Sequence, residues 1–228
     1  MKNIRLNISD NDFLKIFLIK DYSLLWFSSF TSMLSMQIRI IATGFILYDI
    51  TGSGLSLGML GIIQLFFQLP SILYGGVLAD FFKRTTIITI SQSFGTVVIF
   101  ILFYLTAKEL INEWHIYIST ALLSINSTIG GPARSALTAN LVPKKLLINA
   151  VAANTATMQI GSVAAPILFG LFTVSFGASY PLLIGSIAAL ISAITCILIK
   201  NDNYIKNTQK MSPIKNIVEG FILSLIHI

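Results

Sequence analysis

The chain has 228 residues, of which 55% are apolar and only 11% are charged, with a mean hydropathy of +0.83. Soluble domains carry roughly 25% charged residues, so this composition excludes an ordinary soluble domain and leaves an integral membrane protein, embedded in a lipid bilayer. The net charge of +6 comes from basic residues scattered over several short segments, which excludes a nucleic-acid-binding face.

Residues 1–21 form a basic N-terminal segment, without the short apolar core and small-residue cleavage site of a secretory signal. Within it Phe13–Ile19 is expected to lie amphipathically on the membrane surface. A six-helix transmembrane unit is expected over 22–200. Runs poor in charge place its helices at about Leu24–Tyr48, Leu55–Leu78, Thr86–Thr106, Trp114–Leu141, Leu146–Phe176 and Pro181–Ile199. The stretch Leu146–Ile199 holds no charge and is too long for one span; Gly177 and Pro181 mark the turn inside it. Strands of a membrane barrel alternate over about ten residues, whereas these runs are continuous and twice that length. The fold class is therefore all-α integral membrane, with six transmembrane helices.

Orientation follows from the basic residues. Lys2, Arg5, Lys15 and Lys20 precede the first helix, Lys83 and Arg84 separate the second and third, and Arg134, Lys144 and Lys145 are counted with the junction of the fourth and fifth. Lys200, Lys206, Lys210 and Lys215 follow the sixth. The alternate connections hold only Lys108, beside Glu109 and Glu113. The positive-inside rule then puts both termini in the cytoplasm. Cys196 has no partner for an internal disulfide, and His115 and His227 lie far apart, so no metal site, cofactor or catalytic residue is expected.

The segment Gly75-Gly76-Val77-Leu78-Ala79-Asp80-Phe81-Phe82-Lys83-Arg84 joins the second and third helices. Its Gly76, Asp80, Lys83 and Arg84 resemble the signature loop of the major facilitator superfamily, a glycine, an acid four residues on, then paired bases. Phe81 stands where the family usually has a base. The resemblance implies a gate, because a partly buried charge pair near a helix dipole can bias a two-state equilibrium. Further matches are Phe45 to Ser53, Gly131-Pro132-Ala133-Arg134-Ser135-Ala136-Leu137, Leu141-Val142-Pro143 and Asn149-Ala150. Their order is similar to the bacterial siderophore and macrolide exporters of that superfamily. The run Gly161 to Gly170 is similar to an antiporter helix-packing motif. Gly161 and Ala165 permit close backbone approach, Pro166 favours a kink, and Gly170 completes the run.

Polar residues inside spans are candidates for the solute path because burying them in lipid is costly. Arg39 is read as the only charge within a span. Gln37 lies near it, Gln64 and Gln68 share one face of the second helix, and Asn126, Asn154 and Gln159 lie on the fourth and fifth. No span carries Asp or Glu, and the fourth helix is read as lacking the buried arginine of many proton-coupled drug exporters. The resemblance implies that the first, second, fourth and fifth helices border a cavity for a small-molecule solute.

Family members have two six-helix halves with the site between them. This chain is read as the N-terminal half, with 201–222 as a linker and the start of a second half. Residues 223–228, Leu223-Ser224-Leu225-Ile226-His227-Ile228, read as a translated sequencing adapter. The expectation is thus a fragment whose C-terminal half is missing. Its function is secondary active export of a siderophore-, macrolide- or drug-like solute by alternating access. A non-transporting six-helix scaffold or binding module is the alternative, and an enzyme is not expected.

Overall fold

The computed structural model describes residues 10–81 and 83–200, with only the backbone described at 10–12 and 72–81. Described in chain order are α1 (Asp10–Lys15), a 3-10 turn (Ile16–Leu18), α2 (Lys20–Thr51), α3 (Gly54–Phe81), α4 (Arg84–Ala107) and α5 (Glu113–Leu141). A 3-10 turn (Lys144–Leu146), α6 (Leu147–Phe176) and α7 (Tyr180–Ile197) complete them. The long helices match the expected spans to within a few residues. Their ends have local causes. At the end of α2, Gly52 adopts φ +62 and its N–H bonds the Tyr48 carbonyl, the left-handed cap that glycine adopts without steric cost. At the start of α5, Asn112 accepts from the His115 N–H while His115 accepts from the Asn112 N–H, satisfying two otherwise orphaned donors.

The closest packing runs between two sequence triplets, α2–α4 and α5–α7. α2 packs on α6 as α5 packs on α3, and α2 packs on α7 as α5 packs on α4; the pairs α4–α7 and α2–α5 map onto themselves. Exchanging α2–α4 with α5–α7 therefore leaves this packing pattern unchanged. Short connections reverse the chain between neighbours, so three alternating helices leave the second triplet inverted relative to the first, as in inverted-repeat transporters.

One end of the bundle gathers most of the basic segments. Tyr22 donates to the Ala150 carbonyl (3.2 Å), Arg84 donates to the Ala136 carbonyl (2.9 Å), and the Lys200 N–H donates to Asp21 (3.3 Å). These bonds bring the starts of α2, α4 and α6 together with the ends of α5 and α7. The short N-terminal segment docks there too, with Ile16 buried against Tyr22, Val142, Ala150 and Ala153, while Leu14 and Leu18 face outward.

Packing is inside-out relative to a soluble protein. Leu55, Phe66, Ile167 and Val174 are exposed, whereas Ser28, Ser35, Ser91, Ser124 and Ser192 are buried. Lipid tails satisfy the former, and small residues let helices without a hydrophobic driving force approach closely. Among the described residues, five helices are long and apolar enough to cross a membrane: α2, Gly54–Ser71 within α3, α4, Lys144–Phe176 including α6, and α7. α5 has the length, 29 residues, but its Ser, Thr and Asn residues dilute its hydropathy.

Cys196 is the only cysteine and is buried, so a thiol-reactive dye reads unfolding. By that readout Gly52→Ala is expected to cost about 1 kcal/mol, because a side chain is strained in the left-handed region. Gly58→Ala, with open space around it, is expected to leave melting unchanged or raise it by removing backbone freedom from the unfolded chain. Equal melting of the two variants would contradict this account of the cap.

Candidate functional site

Two apolar clusters leave a polar middle. One, around Ala42, Ile46, Leu47, Val98, Leu102 and Ile116, lies toward Gly52; another, around Leu25, Ile88, Leu137 and Cys196, lies toward the basic end. Between them the α2 residues Ser29, Ser32, Ser35 and Arg39 open onto a cavity of about 380 Å³. All six long helices contribute to its wall, α3 through Gln64 and Gln68, α4 through Gln92, α5 through Asn126, α6 through Asn154 and α7 through Ala189.

Five of the residues singled out from the sequence, Arg39, Gln64, Gln68, Asn126 and Asn154, line this cavity, while Gln37 and Gln159 do not. Gln37 sits two positions from Arg39, about 200° around the helix at 3.6 residues per turn, and so cannot share its face. Gln159 is exposed on α6. Asn126 is engaged with α4, its Nδ2 donating to the Ser91 carbonyl at 3.0 Å. Gly130 permits that approach, since a Cβ there would come within 3.0 Å of Ser91 Oγ.

Arg134 corrects two expectations. It lies inside α5 (Glu113–Leu141) rather than in a junction loop, so Arg39 is not the only charge set well inside a long helix. The fourth long helix therefore does carry an arginine, half-buried and turned inward. Its Nη1 donates to Ser28 Oγ (3.2 Å) and Ser29 Oγ (3.1 Å), and its Nη2 donates to Ser192 Oγ (3.0 Å). One guanidinium thus ties α5 to α2 and α7 while lining the cavity. The sequence signal was present, because Arg134 stands seven residues before the end of the expected fourth helix. Counting it with the loop cations hid it.

A family model described as Major Facilitator Superfamily matches residues 25–223. The chain belongs to the major facilitator superfamily. A search of curated proteins gave no match. Major facilitator proteins are secondary transporters that move small-molecule solutes through the membrane, so this is a multi-pass membrane transport protein and not an enzyme. Among the described residues no group of His, Cys, Asp and Glu could hold a metal ion.

The parts of the major facilitator signature loop are distributed as follows. Gly76 and Asp80 lie in the stretch of α3 described by its backbone only, so their side chains fall outside the description. Lys83 is exposed and precedes α4, where its carbonyl accepts from the Ile87 N–H. Arg84 opens α4 and reaches the Ala136 carbonyl, two residues from Arg134 on α5. In the helix-packing run, a Cβ on Gly161 would meet Met33 Cγ at 2.9 Å, and Ala165 is fully buried. Gly170 meets nothing within 4 Å, and α6 is helical through Pro166, which is exposed. The linker 201–222 and the tail 223–228 lie outside the described residues.

Proposed function

We propose that this chain is one half of a secondary active exporter in a bacterial inner membrane. It would work by alternating access on an organic solute of siderophore, macrolide or drug type. The observation that carries this reading is the polar cavity walled by both inverted triplets, the arrangement that lets one set of helices rock against another around a fixed site. In this reading α5 is the sixth span, its polar face turned to the cavity and not to lipid, and both termini lie on the cytoplasmic side. The gathering of Lys20, Lys83, Arg84, Lys144, Lys145 and Lys200 at one end supports that orientation. The ordered motif matches support the exporter branch. A second six-helix unit, as in transporters built of two halves, would close the cavity.

Asp80 is the gating residue in this proposal, working with Gly76, Lys83 and Arg84, and the antiport-type packing falls to Gly161, Ala165, Pro166 and Gly170. Arg39, Gln64, Gln68, Asn126 and Asn154 would meet the solute, whereas Gln37 and Gln159 are dropped from the path. The test is expression of the complete gene in a bacterium lacking its own efflux pumps, with growth measured against a panel of siderophores, macrolides and dyes. Protection against at least one compound is expected. Asp80→Asn should reduce export about tenfold at unchanged protein level, the effect of removing roughly 1.4 kcal/mol of conformational bias. No protection by the complete protein against any compound would sink the exporter reading.

A further inference from the structure

We propose that the cavity takes an organic dianion with an apolar body, its two acidic groups held by Arg134 and Arg39. The proposal rests on the transporter reading for its biological meaning but on charge and geometry for its chemistry. Among the described residues the wall carries these two arginines and no Asp, Glu or Lys. Its other polar groups are neutral hydroxyls and amides. Two cations facing one cavity within a membrane are costly unless an anion meets them.

Donor bookkeeping points the same way. A guanidinium offers five N–H donors. Arg134 spends three on Ser28, Ser29 and Ser192, which fixes its plane and leaves two. The Arg39 guanidinium has no hydrogen-bond or ion-pair partner among the described residues, and only its backbone carbonyl accepts from Thr43 Oγ1. Carboxylate, phosphate and sulfonate groups accept in the forked geometry a guanidinium presents. A helix rises 1.5 Å per residue, so Arg39 and Ser29, which touches Arg134, stand about 15 Å apart along α2. The two cations therefore act at separate levels and suit a ligand with separated acids. Met33, Met36 and Met158 line the space, and methionine adapts its shape to an apolar body.

The test uses the purified 228-residue chain in maltoside micelles, with melting followed by thiol-dye labelling of Cys196. The probe is naphthalene-2,6-dicarboxylate, compared with the neutral 2,6-dicarboxamide and the doubly cationic 2,6-bis(aminomethyl) compound. The dicarboxylate is expected to raise the melting temperature by about 3 °C or more at saturation, and the other two by less than about 1 °C. Arg39→Gln should weaken dicarboxylate binding at least about tenfold, and Arg39→Lys, which keeps the charge but loses the fork, should fall between the native chain and Arg39→Gln. Arg134→Gln serves as the second site, judged only by its shift relative to its own unliganded melt. Equal shifts from the neutral or cationic compound, or a dicarboxylate shift surviving Arg39→Gln and Arg134→Gln together, would overturn the proposal and leave the transporter reading standing. A charge-selective shift in a complete protein that exports nothing would support the anion site while removing the exporter.

Discussion

Ser28→Ala combined with Ser192→Ala is expected to destabilise the chain by about 3 kcal/mol or more when Arg134 is present, and by far less in an Arg134→Leu background. The reason is an asymmetry in what each substitution orphans. Ser28 Oγ donates to the Ser192 carbonyl (2.9 Å), Ser192 Oγ donates to the Ser28 carbonyl (2.8 Å), and Ser29 Oγ donates to the Leu25 carbonyl (2.9 Å). Every hydroxyl that receives the guanidinium thus has a second partner. Removing Arg134 strands none of them and also removes the cost of burying a charge, so Arg134→Leu is expected to be near neutral or stabilising, as for other buried ions replaced whole. Removing the hydroxyls instead leaves a half-buried cation with unmet donors. Hydrogen bonds from charged donors contribute about 1.5–3 kcal/mol each, against about 0.6 kcal/mol for neutral interhelical bonds in membranes. The charged term dominates. A double-mutant cycle by urea titration in maltoside micelles should therefore give a coupling of about 2 kcal/mol or more. A coupling near zero would mean that Arg134 does not depend on these serines.

The second large effect separates two glycines of one motif. Gly161→Leu is expected to cost about 1–3 kcal/mol, the usual penalty of overpacking, and to part α2 from α6. Gly170→Leu is expected to leave stability unchanged. A Cβ at Gly161 already meets Met33 Cγ at 2.9 Å, with Met33 Cβ at 3.6 Å and its backbone carbon at 4.0 Å, whereas Gly170 has open space. Met33 is flexible at its far end, so Gly161→Ala should be mild. Leucine reaches the α2 backbone, which cannot yield. Melting of the three variants by Cys196 labelling checks the order, and a Gly170→Leu loss as large as that of Gly161→Leu would show that the motif packs as a unit. Because Met33 also lines the cavity, Gly161→Leu should weaken dicarboxylate binding as well.

Hydropathy and charge were enough to read the helices from the chain. Long uncharged runs, the glycine at position 52 and the turn at Gly177 have one-dimensional causes, and each helix end fell within a few residues of its expected place. The superfamily was readable too, from the glycine, acid and paired bases between the second and third helices, and the match over residues 25–223 bears it out. Which faces turn inward was not readable. Gln37 and Arg39 are equally polar and two residues apart, yet only Arg39 reaches the cavity. Asn154 lines it and Gln159 points outward. Hydropathy could not choose, because the outward surface of a membrane bundle is as apolar as its core, and a helix gives no internal sign of which stripe meets its neighbours. Arg134 makes the same point most sharply. In sequence it stands seven residues inside the expected fourth helix, but nothing there says which neighbours it meets. Only the packing of α5 beside α2, with α7 within the guanidinium's reach, puts it against three serines, turning a topological marker into a half-buried cation on the cavity wall.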